Sequence, residues 1–230
     1  MMFRGVGVAC LAIGMTVPAA AETREHGTQA SIRAAQEFAA CLVERRREDA
    51  RLFLDTTTPD VAARVSRPLF READCLNLPN ATAFTESMKV QSPAAIQRGL
   101  LAEALINGMI DQPVPEAQPL RANYRNPWFK VSAREQAVDE MAICVAATNP
   151  SGIMKLVRAE AESAEERAAI ASLSPSLNPC LVTNAKLIAN RQSLRAALAE
   201  ALYHRIATPE LLMTAEAGDD RPAPTSAVRN

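Results

Sequence analysis

The sequence predicts an all-α protein made of two tandem, pseudo-symmetric helical repeats, each closed by one internal disulfide. Three observations lead there. Ala supplies 44 of the 230 residues, while aromatic residues make up only 4%. Ala loses no side-chain entropy in a helix, and no run shows strand alternation or an Asn-Gly or Asp-Gly turn between β-rich segments. The second observation is recurrence: an ordered series of Cys, helix cap, Pro, Cys-Leu and a closing Arg-x-x-Leu-Ala-Glu-Ala-Leu is written twice. The third is that each copy carries one pair of cysteines.

Residues 1–21 read as an address rather than as structure. Arg4 is followed by an uncharged run from Gly5 to Val17, then Pro18 and Ala19-Ala20-Ala21. A basic start, a short apolar run and small residues at a cleavage site make a secretory signal peptide, with the cut expected between Ala21 and Glu22. The run is too short to span a bilayer as a helix. Cys10 lies inside it and belongs to the discarded segment. No later segment has the length of a membrane span, so a soluble exported chain is expected.

Repeat 1 covers residues 22–107. Ser31 is placed to cap a first helix whose apolar face runs through Ile32, Ala35, Ala39, Leu42 and Val43. Arg45-Arg46-Arg47, flanked by Glu44, Glu48 and Asp49, reads as a charge-mixed helical end in water. Thr58-Pro59 is a cap followed by Pro at the first helical position, where its missing N–H costs nothing. Ser92-Pro93 opens the closing helix and Asn107-Gly108 ends it. About eight extra residues, around Leu78 to Gln91, distinguish this repeat from the second.

A Pro-rich linker occupies residues 108–131, with Pro113, Pro115, Pro119 and Pro127, and is expected to be extended and fairly stiff. Trp128 and Phe129 at its end are expected to pin it to a repeat. Packing is the commoner role for such a pair, and Trp128 is the aromatic candidate for a ligand contact. Repeat 2 covers residues 132–216. Ser132 with Glu135 forms a capping box for its first helix, which runs to about Ala147 and stops at Asn149-Pro150. Ser163 with Glu166 is a second capping box. The closing helix starts near Asn190 and ends before Thr208-Pro209, which opens a short extra helix to about Ala215. Residues 217–230 are polar and Pro-containing, and read as a disordered tail.

Four cysteines allow three pairings. The duplication selects Cys41–Cys75 and Cys144–Cys180, whose separations of 34 and 36 residues are similar. Export to an oxidising compartment favours disulfides. A metal or redox role fits less well, because there is no Cys-x-x-Cys and no His close to a Cys in sequence.

Together, the signal peptide, the Phe38-Ala39-Ala40-Cys41 helix, the Cys75-Leu76 and Cys180-Leu181 steps and the closing helices of Arg98–Leu105 and Arg195–Leu202 resemble exported two-repeat helical proteins of sphingomonad-type alphaproteobacteria. The resemblance covers roughly residues 31 to 206. It implies a Gram-negative periplasmic setting and a duplicated fold. It implies no activity and transfers no site residues. Ile106, where repeat 2 has Tyr203, departs from the pattern.

Chemistry is sparsely signalled. The formal net charge of −1 gives no overall pull toward nucleic acid or an anionic membrane. The excess of Arg (21) over Lys (4) fits the codon bias that also explains the Ala content. No His-Glu-x-x-His, Gly-x-Ser-x-Gly, phosphate loop or dinucleotide fingerprint occurs, and 8 Gly leave little material for phosphate-cradling loops. No catalytic residue, metal ligand or cofactor is nominated. His26 sits near the new N-terminus. His204 follows Glu200 by one helical turn, which allows an acid–base couple but is also common on helix faces.

The polar residues that recur are Arg98 with Arg195, and Glu103 with Glu200. Five residues separate Arg from Glu within each helix, about 140° around its axis, so the two do not meet there. They are candidates for pairing across the repeats, Arg98 with Glu200 and Arg195 with Glu103. The plainer arrangement leaves all four at the solvent edge of their helices.

The leading functional expectation is a periplasmic, non-enzymatic binding module for an envelope protein, a peptide or an apolar ligand, because paired helical units make grooves. An envelope-stress chaperone of the holdase kind and an enzyme of unrecognised class are the alternatives. The Leu78–Gln91 insertion is the expected variable contact.

Overall fold

The computed structural model describes residues 20–76, 93–109, 111–121, 123–181, 190–207 and 209, with side chains from residue 31 onward. Those residues form nine α-helices, a short 3-10 turn at Pro127–Val131 and no strand. Before the linker come α1 (Ala20–Arg45), α2 (Arg47–Asp55), α3 (Pro59–Leu69), α4 (Ala73–Leu76) and α5 (Ala94–Asn107). After it come α6 (Gln136–Thr148), α7 (Pro150–Arg158), α8 (Ala164–Cys180) and α9 (Arg191–Ala207).

Two disulfides cross-link this frame. Cys41 on α1 bonds Cys75 on α4, and Cys144 on α6 bonds Cys180 at the end of α8, with Cα–Cα separations of 5.6 and 5.5 Å. The order of elements is similar on either side of the linker. In both halves a long helix breaks into a short one of 9 residues, α2 or α7.

Those two short helices are not foreseen from the sequence. The Arg45–Arg47 run is a helical end in water, as expected, with Glu44, Arg45, Arg47 and Glu48 exposed, and it is also the junction to a further helix. Arg46 leaves the helical conformation (φ −134°), and its guanidinium reaches both Asp49 and Glu72. Asn149-Pro150 likewise ends one helix and starts the next. Asn149 (φ −143°) closes α6, and its side-chain oxygen accepts from Gly152 N at 3.0 Å to cap α7. Pro150 disfavours the helical conformation only for the residue before it, and at the first position of α7 it is well placed.

Two expected helix starts are corrected. α1 extends back to Ala20, so Ser31 lies within it instead of capping it. Ser132 and Glu135 form no capping box, because α6 begins at Gln136. Ser132 is fully buried, with its hydroxyl 2.5 Å from Asp139 Oδ2. At Ser163 the cap is real: its hydroxyl accepts from Glu166 N at 3.0 Å. Glu166 accepts instead from Glu162 N, at 2.9 Å, one residue before the usual capping-box donor. Thr58 and Pro59 stand at the start of α3 as expected, though the Thr58 side chain makes no capping bond. α9 starts where expected, with Asn190 Oδ1 accepting from Ser193 N. Most of the expected signal segment, the Leu78–Gln91 stretch, the helix expected toward Ala215 and the tail expected over 217–230 lie outside the described residues.

The core centres on the packing of α5 against α9. Leu101, Leu105, Leu198 and Leu202 are all fully buried there. Gly99 sets how closely the helices approach. A Cβ at this position would lie 2.3 Å from both Cα and Cβ of Ala196. Gly99 follows Arg98 as Ala196 follows Arg195, so corresponding positions of the two closing helices touch.

Candidate functional site: a buried ionic clamp and an open cleft

Close approach of α5 and α9 brings their polar residues together. Arg98 Nε donates to Glu200 Oε1 at 2.6 Å. Arg195 grips Glu103 with two bonds, Nε to Oε2 at 2.8 Å and Nη2 to Oε1 at 2.6 Å. The solvent-edge arrangement does not occur: Arg98 and Glu200 are 0% exposed, Arg195 3% and Glu103 7%. Buried charges of this kind need full hydrogen bonding, and here the rest of each guanidinium is also occupied.

Arg98 donates from Nη1 and Nη2 to Phe53 O (2.7 Å) and Leu54 O (2.9 Å), and its guanidinium lies 5.0 Å from the centre of the Phe53 ring. Arg195 donates from Nη2 to Val157 O (3.2 Å) and Ala159 O (2.9 Å), and from Nη1 to Glu166 at 2.9 Å. Phe53 and Leu54 lie in the last turn of α2, and Val157 and Ala159 at the end of α7. Carbonyls at a helix C-terminus lack intrahelical donors and carry partial negative charge, so each Arg caps a short helix while bonding the Glu of the other half.

Each Glu also receives a donor from its own half. Gln36 Nε2 donates to Glu103 Oε1 at 2.8 Å. Arg134 bonds Glu200 Oε2, and it reaches Asp139 Oδ1 at 3.2 Å and Ala95 O at 3.3 Å. Burial alone would raise the Glu200 carboxyl, but Arg134 and Arg98 outweigh it and hold the group well below the usual carboxylate range. At Asp139 burial prevails over Arg134 and Ser132, and the carboxyl is pushed up to about 6. Burial lowers the Arg195 guanidinium's affinity for its proton, yet Glu103 and Glu166 hold its pKa above the ordinary value.

His204 and Trp128 close the clamp on the linker side. Both are 0% exposed, and their rings stack with centres 4.6 Å apart and planes 20° apart. Trp128 is therefore part of the core and presents no face to a ligand. His204 Nε2 lies 3.8 Å from Glu200 Oε1, too far for a good hydrogen bond and an ion pair only when the imidazole carries a proton. Burial pushes the imidazole down, against the pull of Glu200. The neighbouring Tyr203 donates its hydroxyl to Asp55 Oδ1 at 3.0 Å, tying α9 to the end of α2. Burial, with Asp55 adding to it, pushes this phenol well above its usual range.

Arg134, Asp139, Ser132 and Glu166 are members of the clamp that recurrence does not reveal. Recurrence selects what the two halves share, and Arg134 does in one half what the uncharged Gln36 does in the other. Glu166 is visible only as a capping residue. Among the described residues, no group of three or more His, Cys, Asp or Glu is placed to hold a metal ion. No helix among them is long and apolar enough to cross a membrane.

One concavity borders the clamp and another lies apart from it. A cleft of about 390 Å³ opens among α1, α5 and the end of α7. Ala40, Leu100, Ala104 and Val157 give it apolar walls, the clamp residues Gln36 and Glu103 also line it, and Glu37, Asn107 and Arg158 complete its polar lining. Arg33 and Glu160 pair at 2.5 Å across the two halves, and Glu160 lines the cleft. A second hollow, of about 300 Å³, lies between the linker around Leu120–Arg125 and the Cys144–Cys180 disulfide. Comparison with protein-family models, with curated proteins and with solved structures gives no match.

Proposed function

We propose that the protein is a non-enzymatic binding module of the exported, periplasmic compartment, built by duplication, which seats a small amphipathic ligand in the cleft among α1, α5 and α7. The observation that supports this reading is a separation of roles. The charged residues that acid–base chemistry would recruit, Glu200 and His204 among them, are sealed at 0% exposure and engaged in holding helices together. The open cleft has apolar walls from both halves of the chain with the polar side chains of Glu37, Asn107 and Arg158 beside them, the pattern of a binding seat. The Glu103 carboxylate that also lines it is already held by Arg195 and Gln36.

A holdase would need a contiguous exposed apolar surface. The large apolar side chains exposed among the described residues are Leu52, Leu76 and Leu120, on α2, α4 and the linker. They supply no such surface.

Native mass spectrometry of the protein purified from its exported fraction tests the reading. A bound small molecule should accompany the wild-type chain and be lost from Ala104→Trp, which fills the cleft. Retention by that variant, or a reproducible turnover abolished by Glu200→Gln, would sink the proposal.

A further inference from the structure

The contact between Trp128 and His204 has a feature that cohesion alone does not require. It fastens the Pro127–Val131 turn, at the end of the linker, onto α9, and the same turn packs against α3 from the other half. Phe129 meets Trp128 edge-on at 4.9 Å, which completes a small aromatic lock. The ring that holds the lock shut is an imidazole, the side chain whose charge changes in the mildly acidic range.

The charges facing that imidazole come from every side. Glu200 lies one turn back on α9, Arg98 projects from α5, and Asp55 lies at the end of α2. Behind Glu200 stand Arg134 and Asp139. With His204 neutral, the deeply buried side chains of Arg98 and Arg134 are balanced by Glu200 and Asp139, and the half-buried Asp55 lies further out, accepting from Tyr203. A proton on His204 would add a positive charge where water is excluded, answered only by Glu200, which two guanidinium groups already share, and by the more distant Asp55. A proton on Asp139 would remove one anion and deepen the imbalance. A buried unpaired charge is costly enough that the structure moves or the proton is refused.

We propose that Trp128 and His204 form a proton-operated latch, which holds the Pro127–Val131 turn against α3 and α9 at neutral pH and releases it when His204 takes up a proton. Release exposes Trp128 and the imidazolium to water while the disulfide-linked helices stay folded.

Trp128 is the single Trp of the chain, so its fluorescence reads the latch directly. The full-length oxidised protein is titrated from pH 8 to pH 4. Emission wavelength and acrylamide quenching report on Trp128, and far-ultraviolet circular dichroism reports on the helices. The latch predicts a reversible red shift and a rise in the quenching constant, with a midpoint below the usual histidine value of about 6.5, while helicity is retained. In His204→Phe, which keeps an aromatic ring on Trp128 but cannot titrate, the transition should disappear. Persistence of the transition in that variant overturns the latch. So does quenching of the emission without any gain in acrylamide access, or a red shift that coincides with loss of helicity. If His204→Phe does not fold, the His204 ring titration followed by NMR in the wild-type chain decides. Its midpoint must match that of the Trp128 transition, and a mismatch overturns the proposal.

Discussion

At the scale of single residues, one carboxylate carries an unusual share of the interior. Glu200 is fully buried and receives Arg98 from α5 and Arg134 from the segment before α6. Glu200→Gln would leave the buried Arg98 without its counter-charge and Arg134 with Asp139 alone. Removing one partner from a buried pair costs about 3–5 kcal/mol, and urea denaturation should show a loss of that order. A change below about 1 kcal/mol would mean that water reaches the cluster. Asp139 behaves in the opposite sense. Its folded pKa, raised to about 6 by burial, lies above the ordinary value of 3.8. The folded chain therefore binds the proton more tightly, and this contribution is present below about pH 4 and lost as the pH rises through 6. The stability of Asp139→Asn relative to wild type should accordingly improve between pH 4 and pH 7. A difference that does not vary with pH would refute the assignment. Of the clamp, only the four recurring residues could be read from the sequence. Arg134 has only the uncharged Gln36 as its counterpart in the first half, and Ser132 looks like an ordinary helix cap, because burial of a hydroxyl beside Asp139 leaves no local signature.

At the scale of elements, the helix approach at Gly99 is the most sensitive point. A methyl group there meets the backbone of Ala196, which cannot swing aside as the tip of a side chain can. Overpacking of this kind costs about 1–3 kcal/mol, against roughly 1 kcal/mol that Ala gains over Gly within a helix. Gly99→Ala should lower the melting temperature, and adding Ala196→Gly should recover part of the loss. A Gly99→Ala chain at least as stable as wild type would show that α5 and α9 are not in contact there. Cys75→Ser opens a 34-residue separation closed by the Cys41 bridge. A loop of that size contributes about 3–4 kcal/mol through the unfolded state, and calorimetry under oxidising conditions should register most of it. Both disulfides and both closing helices were legible because cysteines and Leu-Ala-Glu-Ala-Leu recur in order. The short helices α2 and α7 were not. Asn149-Pro150 signals a stop and a start equally well, and only the packing of the next turn decides which follows. Arg46 breaks α1 without any Pro or Gly to announce it.

At the scale of the whole molecule, the reciprocal arrangement of Arg and Glu fastens the halves on either side of the linker. Each Arg crosses to the other half for its Glu while capping a short helix of its own half. The sequence offered this pairing as one of two arrangements and could not choose, since both are compatible with helical spacing. Approach at Gly99 decides it by bringing the two helices close enough to exclude water. The cleft among α1, α5 and α7 follows from the same packing and has no motif of its own, because its walls are Ala, Leu and Val drawn from distant parts of the chain. That these charges are structural is the central claim, and a double-mutant cycle on Arg195 and Glu103 tests it most directly. Unfolding of the wild type, Arg195→Met, Glu103→Leu and the double variant would be followed in urea by Trp128 fluorescence and circular dichroism. Each single variant should lose several kcal/mol, and the double variant should lose less than their sum by at least about 1 kcal/mol, the coupling expected of residues in direct contact. Strictly additive losses, or single variants as stable as the wild type, would contradict the clamp.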